Sequence, residues 1–406
     1  MTDSAETPAS AWLPALTAIL AVQTTVSFLT RLIPTLAPVI TRDLQISDAA
    51  IGYLTALNTA GSIAFLVVGG PLIRRFGPLR TLQFGLALGA VGVFLMAGPA
   101  TAALGLASLM IGFAYAPSAP AGNEVLHRSA PPAHRSLIFS IKQAGVPMGG
   151  VLAGLTLPEL SRTFGWGAAL SFSLVVIVAT IAFVQPMRST TDIFRDESVA
   201  ISPRSLMHIS NLTEPLAVLF READLFRLAL VGSFFAIGQG AWLTFLVTMG
   251  VSHLGLDFAA AGVLFAVMQA TGVVGRMLLG WIADRLGSGQ RTLQIVAVTS
   301  ALSSLALALA TPEWGFAALC VLAAIAGVTV SSWNGVQLAE IARLAPKGRV
   351  AEASAGATII IFIGYIIGPV IFSVVLTAIG RYDVALVVIA IITLAALGWL
   401  TQRPTR

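Results

Sequence analysis

Arg31 is the residue whose type and place in this sequence point most directly to chemistry. It lies inside the first apolar segment, about 16 Å short of Arg42 along a helix rising about 1.5 Å per residue, too deep for easy reach of the interface. An arginine at mid-membrane costs on the order of 2.5–3.5 kcal/mol to insert, so such residues face a cavity or a partner. No carboxylate lies near the middle of any apolar segment: Glu124, Asp284 and Glu340 fall near one set of ends, and Asp43, Asp48, Glu159, Asp257, Glu313 and Asp383 near the other. A guanidinium without a carboxylate is an anion site, because its planar fork grips a carboxylate bidentately. The structural alternatives are a bond to backbone carbonyls or a gate at the outer end of the segment.

Lys142, in the fifth segment, either meets an anion from the inside or snorkels to the surface. Arg227 and Arg276 stand nearer the ends of their segments, where snorkelling or loop bonding is the expectation. The four histidines, His127, His134, His208 and His253, are expected in loops. The neutral polar residues fall in stripes. Gln23, Ser27 and Arg31 share one helix face in the first segment; Thr55, Asn58 and Ser62 mark the second, Gln239 and Trp242 the seventh, and Ser331 to Asn334 with Gln337 the tenth. Taken singly, such residues read as helix-to-helix hydrogen bonds; four stripes in a duplicated chain point to a shared central cavity. The candidate substrate-binding set is therefore Arg31, Gln23, Ser27, Asn58, Lys142, Gln239, Trp242, Trp333, Asn334 and Gln337.

The elements that must position these residues follow from composition. The chain of 406 residues is 57% hydrophobic and 10% charged, against a charged fraction of about 25% in soluble domains. It reads as an integral membrane protein. Twelve segments are long enough to span: 12–38, 49–72, 80–98, 101–126, 136–159, 165–186, 223–250, 257–282, 291–311, 313–342, 350–378 and 382–401. The uncharged run 81–123 is divided at Gly98-Pro99. The expected domains are a six-helix bundle at 1–186, a cytoplasmic linker at 187–222 that is a tether or a partner-binding segment, and a second six-helix bundle at 223–406.

The formal charge of +5 would suggest nucleic acid for a soluble protein. Here the basic residues sit in turns, so none is expected as a partner. Arg74, Arg75, Arg80, Arg128, Arg135, Arg188, Arg195, Arg204, Arg221, Arg285, Arg291, Arg343, Lys347, Arg349, Arg403 and Arg406 fall on one side, and Arg42, Arg162 and Arg381 on the other. Sixteen against three places both termini in the cytoplasm by the positive-inside rule. The lone Cys320 excludes an internal disulfide. With no basic start before Arg31, the first segment is expected to be retained as a helix and not cleaved as a signal peptide.

The halves repeat. Gly70-Pro-Leu-Ile-Arg-Arg-Phe-Gly77 is answered by Gly280-Trp-Ile-Ala-Asp-Arg-Leu-Gly287, and Arg80-Thr-Leu-Gln83 by Arg291-Thr-Leu-Gln294. A period this long within one membrane chain signals duplication of a multi-helix unit. The pattern Gly-x-Leu/Ile-x-Asp-Arg-x-Gly at Gly280–Gly287 resembles the signature loop of the major facilitator superfamily. In the first copy Arg74 stands in place of the acidic residue. The resemblance implies an all-α membrane fold of twelve helices in two pseudo-symmetric six-helix bundles, with the first, fourth, seventh and tenth helices lining a cavity. It implies a gating set of Gly70, Arg75, Gly77, Gly280, Asp284, Arg285 and Gly287, with Asp284 the better latch. Arg31 with Pro34, Pro38 and Asp43-Leu44 also resembles the organic-anion branch, where an arginine in that helix binds substrate carboxylate.

These readings converge on a secondary transporter of a small carboxylate-type anion working by alternating access, in a bacterial inner membrane and as a monomer. Efflux of amphipathic compounds is the alternative, favoured if Arg31 faces a helix neighbour. A membrane enzyme or sensor is disfavoured, since the apolar zone holds no His, Cys or acidic cluster, and neither cofactor nor metal is expected. No Gly-x-x-x-x-Gly-Lys loop is present, so a gradient must drive the cycle. Single cysteines placed at Pro78 and Ser198 should react with a membrane-impermeant maleimide only from the cytoplasm; labelling of either from outside would reverse the topology.

Overall fold

The computed structural model describes residues 12–401 except 99, 132–133, 194, 203–205 and 207–209. Pro99, Arg204, His208, Arg403 and Arg406 therefore lie outside the described residues. Twelve helices are long and apolar enough to span a membrane. We number them α1 (Trp12–Asp43), α2 (Ala50–Phe76), α3 (Pro78–Met96), α4 (Thr101–Ser129), α5 (Arg135–Phe164), α6 (Trp166–Val184), α7 (Ala223–Ser252), α8 (Phe258–Leu286), α9 (Gly289–Ala308), α10 (Phe316–Leu344), α11 (Val350–Ile379) and α12 (Tyr382–Thr401). The protein is an integral, multi-pass membrane protein. The spans match the expected segments but overrun several of them, α1 ending at Asp43 and α8 at Leu286. His127 lies within the last part of α4 and not in a loop, a correction to the sequence expectation.

Three spans are broken, each for a local reason. α1 stops at Thr30 and restarts at Leu32. Pro34 has no N–H to give the Thr30 carbonyl, and the turn tightens so that Arg31 N donates to Phe28 O at 3.0 Å. α4 breaks into Thr101–Tyr115, a 3-10 turn at Ala116–Ser118, and Pro120–Ser129, with Pro117 and Pro120 removing two backbone donors. α10, the counterpart of α4, breaks between Thr329 and Asn334 without a proline. There Ser332 Oγ donates to the Gly327 carbonyl at 2.7 Å and to the Gly272 carbonyl of α8 at 3.1 Å. A serine that bonds backward to the helix in this way bends it.

The segment between α6 and α7 has structure of its own. A helix at Ser210–Arg221 packs on α11, where Gly356 leaves room for the Pro215 carbonyl.

The halves meet along two seams, α5 with α8 and α2 with α11. Both are lined by glycine where the backbones approach. A Cβ on Gly154 would stand 2.7 Å from the Gly262 carbonyl, and one on Gly262 would reach 2.6 Å from Pro158 Cγ. Gly52 of α2 faces Ser373 and Pro369 of α11. Near it Ser373 Oγ donates to Ala49 O at 2.6 Å, Tyr382 Oη donates to Asp48 Oδ2 at 2.6 Å, and Phe245 stacks on Phe372 at 4.2 Å. All of these contacts lie in the half of the bundle away from the linker, so the protein is closed on that face. Gly262→Val should push α5 and α8 apart there. Spin labels at Arg162 and Asp257 should report a longer distance in the variant than in the parent, and an unchanged distance would remove the steric role given to the glycine.

Candidate functional site

The break in α1 places Arg31 at mid-bundle, between the halves. The Arg31 carbonyl accepts from Thr35 N at 2.9 Å and from Thr35 Oγ1 at 2.6 Å, which fixes the restart of the helix. Its side chain stands within electrostatic reach of Tyr115 on α4, Tyr365 on α11 and Arg276 on α8. Arg31 and Arg276 come from opposite halves, and among the described residues no carboxylate lies within reach of either. One Arg276 nitrogen donates to the Gly272 carbonyl one turn back, at 2.9 Å. Arg31 Nε is sealed from solvent and has no acceptor in the protein. A buried charged donor left without an acceptor is costly.

The neutral groups around the pair are fixed by one another. Tyr365 Oη donates to Gln239 Oε1 at 2.6 Å, Gln239 Nε2 reaches Ser331 O at 3.5 Å, and Tyr365 also bonds Asn334. Thus α7, α10 and α11 converge on one tyrosine. Arg31, Tyr115, Arg276, Tyr365 and Asn334 each keep part of their surface exposed although they stand mid-bundle, which requires an open space between the halves.

Of the residues singled out from sequence, this cluster gathers Arg31, Gln239 and Asn334. Gln23 donates to Ser27 Oγ at 3.3 Å, and both are buried on the face of α1 that packs on Gly145 and Gly149 of α5. Asn58 lies where the backbones of α2 and α4 cross at Gly112. Lys142 is 1% exposed and donates to Asn123 Oδ1 at 2.7 Å. Three others pack inside the second half: Trp242 Nε1 donates to Ser304 Oγ at 2.9 Å, Gln337 Nε2 donates to Leu228 O at 3.0 Å, and Trp333 packs on Phe235. Arg276, Tyr115 and Tyr365 were not singled out as site residues. Expected to snorkel, Arg276 is found instead beside Arg31, because α8 continues well past 282 and so carries that residue deep.

In the loop joining α2 and α3, the sequence shows no acidic residue, but the structure supplies one from elsewhere. Asp192, just after α6, is 2% exposed and accepts from Leu79 N at 2.8 Å and Arg80 N at 3.1 Å, capping α3. Gly77, at φ +89, is the residue against which this carboxylate packs. Burial pushes the Asp192 carboxyl up, against the pull of the two amides and of Arg188 at 3.3 Å. Arg75 donates to the carbonyls of Glu197 and Val199, tying the linker to the same loop. In the second half Glu340, at the end of α10, accepts from Gly289 N at 3.1 Å and so caps α9. Asp284 is exposed, Arg285 lies over Trp281 at 5.1 Å, Gly287 caps α8 at φ +60, and neither Gly70 nor Gly280 has a neighbour its missing Cβ would touch.

Twelve spans in two repeated halves, with a cationic cluster between them, define a polytopic membrane protein. The chain belongs to the Major Facilitator Superfamily, whose family profile matches residues 16–335. Among curated relatives it is 26% identical over 296 residues to an uncharacterised MFS-type transporter of Mycobacterium tuberculosis, covering 72% of this chain and 63% of that protein. It is 24% identical to the hexuronate transporter of Bacillus subtilis, covering 61% and 58% of the two chains. Among solved structures, a bacterial homologue of the human lysosomal transporter Spinster superposes with a TM-score of 0.73 at 16% identity, over 96% of each chain. A POT family transporter in complex with 5-aminolevulinic acid gives 0.77 at 11% identity, over 94% of each chain.

Asp192→Ala removes a helix cap, a loss of about 0.5–2 kcal/mol. The purified variant should unfold at a lower temperature than the parent in a thermal scan, with Asp192→Asn between the two. An unchanged transition would show that the cap does not hold the loop.

Proposed function

We propose that this protein is a secondary transporter that moves a small organic anion of carboxylate type by alternating access, with Arg31 and Arg276 as the two halves of its binding site. The observation that carries the reading is the pairing of two guanidiniums from opposite halves, one with a sealed and unsatisfied Nε, with no carboxylate in reach among the described residues. Like charges held together in a low-dielectric interior repel, and an anion between them removes the repulsion and fills the empty donors. Because the site is shared between the halves, its occupant draws them together, which is the step a rocking cycle needs. Tyr115, Tyr365, Gln239 and Asn334 supply neutral hydrogen-bonding groups that discriminate among anions by shape.

The relatives support the class of substrate. Proteins similar to this chain are named as transporters of hexuronate in Bacillus subtilis, 4-hydroxybenzoate in Pseudomonas aeruginosa and, as a probable assignment, nitrate/nitrite in Mycobacterium tuberculosis. In the proposed setting the protein lies in a bacterial inner membrane as a monomer, with both termini and the linker in the cytoplasm. The described state, held shut on the face away from the linker, is then the inward-facing one. Asp284, exposed here, latches the halves in the other state.

The test is binding to purified protein. Glucuronate and 4-hydroxybenzoate, as organic carboxylates, and tetraphenylphosphonium, as an amphipathic cation, are compared by thermal shift, since a ligand of the folded state raises its unfolding temperature. A carboxylate should stabilise the parent. Arg31→Lys and Arg276→Lys keep charge but lose the planar fork, so each should weaken binding about ten- to a hundredfold, the equivalent of about 1.5–3 kcal/mol for a charged hydrogen bond. Stabilisation by the cation alone, or carboxylate affinity unchanged in both variants, would overturn the anion reading in favour of amphipathic efflux.

A further inference from the structure

Lys142 is the one charged side chain within the spans that is fully buried among the described residues, at 1% exposure. Its Nζ donates to the neutral carbonyl oxygen of Asn123 at 2.7 Å. Gly122 beside it leaves the space: a Cβ there would stand 3.1 Å from Lys142 Cε and 2.9 Å from Ile19 Cγ2 of α1. The binding cluster described above does not use this residue. An arginine so placed would stay charged under any condition, whereas a lysine is the cation that can give up its proton when burial demands it.

The charged and titratable groups on every packed element are few. α1 carries none from Trp12 to Thr30, then Arg31, Arg42 and Asp43. α3 carries Arg80 at its start. α4 carries Tyr115, Glu124, His127 and Arg128, of which Glu124 is taken by Arg128 at 2.6 Å. α6 carries none from Trp166 to Val184. α5 itself adds Arg135, Glu159 and Arg162, and α8 adds Arg276, Asp284 and Arg285. None of these is in electrostatic contact with Lys142.

Two of the helices around Lys142, α1 and α4, also carry members of the binding cluster. Asn123 and Tyr115 lie on one broken span, α4, with the breaks at Pro117 and Pro120 between them. Lys142 lies on α5, whose Gly145 and Gly149 pack on α1 and whose Gly150 and Gly154 pack on α8. A shift of Tyr115 against an occupant of the site would swing the second part of α4 about the proline break, and a rocking of α5 would slide Lys142 past α1; either motion would part Lys142 from Asn123.

We propose that Lys142 is the proton-coupling group of the transport cycle, carrying one proton for each turnover. Resting on the anion-transport reading for its partner solute, the step is simple. When an occupant parts α4 from α5 and water reaches Lys142, the lone pair of the neutral amine takes a proton from water and forms an Nζ–H bond; when the helices close and bury the group again, that bond breaks, its electron pair stays on nitrogen, and the proton passes back to water. A proton then accompanies the anion, and a pH gradient drives the movement.

The test needs no substrate, so its outcome is separable from that of the anion assignment. Ser373 is fully buried on the closed face and bonded to Ala49 O, so Ser373→Cys in a Cys320→Ser background reports opening of that face by its rate of maleimide labelling. Rates are taken in proteoliposomes relative to Ser198→Cys in the same background, which cancels the effect of pH on the thiol itself. In the otherwise unaltered protein the ratio should change severalfold between mildly acidic and mildly alkaline buffer. Lys142→Gln and Lys142→Arg should each give a pH-independent ratio, fixed at opposite extremes. Asn123→Asp, which gives the ammonium a carboxylate to hold it charged, should move the transition to more alkaline pH. A ratio flat with pH in the parent, a pH dependence surviving in Lys142→Gln and so traceable to Asp48 or His253, or an unmoved transition in Asn123→Asp would each overturn the proposal.

Discussion

Two positive charges from opposite halves stand near each other in a membrane interior without a countercharge of their own, and the rest of the structure answers to that constraint. Desolvating a guanidinium is expensive, and a partner carboxylate would relieve the expense only by occupying the site permanently. The chain instead leaves Arg31 half-buried against an open space, with Arg276 satisfied in part by its own helix. Tyr365 nearby is held by the amide side chains of Gln239 and Asn334, not by acids.

The helix breaks and the glycine seams are two parts of one arrangement. Continuous helices would carry Arg31 and Tyr115 past one another at fixed angles; Pro34, Pro117 and Pro120 free backbone carbonyls at these levels and let the chain bend toward the centre. Glycines at 154 and 262 bring α5 and α8 into backbone contact on the closed face. Packed cores are bistable and not continuously deformable, so a seam of this closeness favours discrete closed and open states.

Much of this was legible in the residue order. Twelve spans, the long-period repeat and the depth of Arg31 all follow from hydropathy and spacing, because a bilayer imposes its thickness on every helix. What escaped was set by contacts distant along the chain. Arg276 looked close to an aqueous end because α8 extends beyond the expected boundary. Tyr115 and Tyr365 carry no pattern that separates a ligand-facing phenol from a packed one. Trp242, Trp333 and Gln337 sit in a polar-looking stripe, yet their donors or rings turn toward α9, α7 and each other's neighbours inside the second half. Asp192 lay in what read as a tether, and only the folded chain shows which helix it caps.

The borrowed cap of α3 bears on how the protein is made. Its carboxylate lies 113 residues downstream of the first amide it accepts from, beyond all six spans of the first half. The matching carboxylate in the second half is separated by 51 residues from the amide it caps. At a synthesis rate of about 5–20 residues per second, the first loop waits on the order of 6–20 seconds for its cap and the second roughly half as long. During that interval the start of α3 has its amides open at the membrane surface. The order of biogenesis therefore differs between two halves that share an ancestor: the second can lock its loop while still being inserted, whereas the first locks only once its whole bundle has left the ribosome.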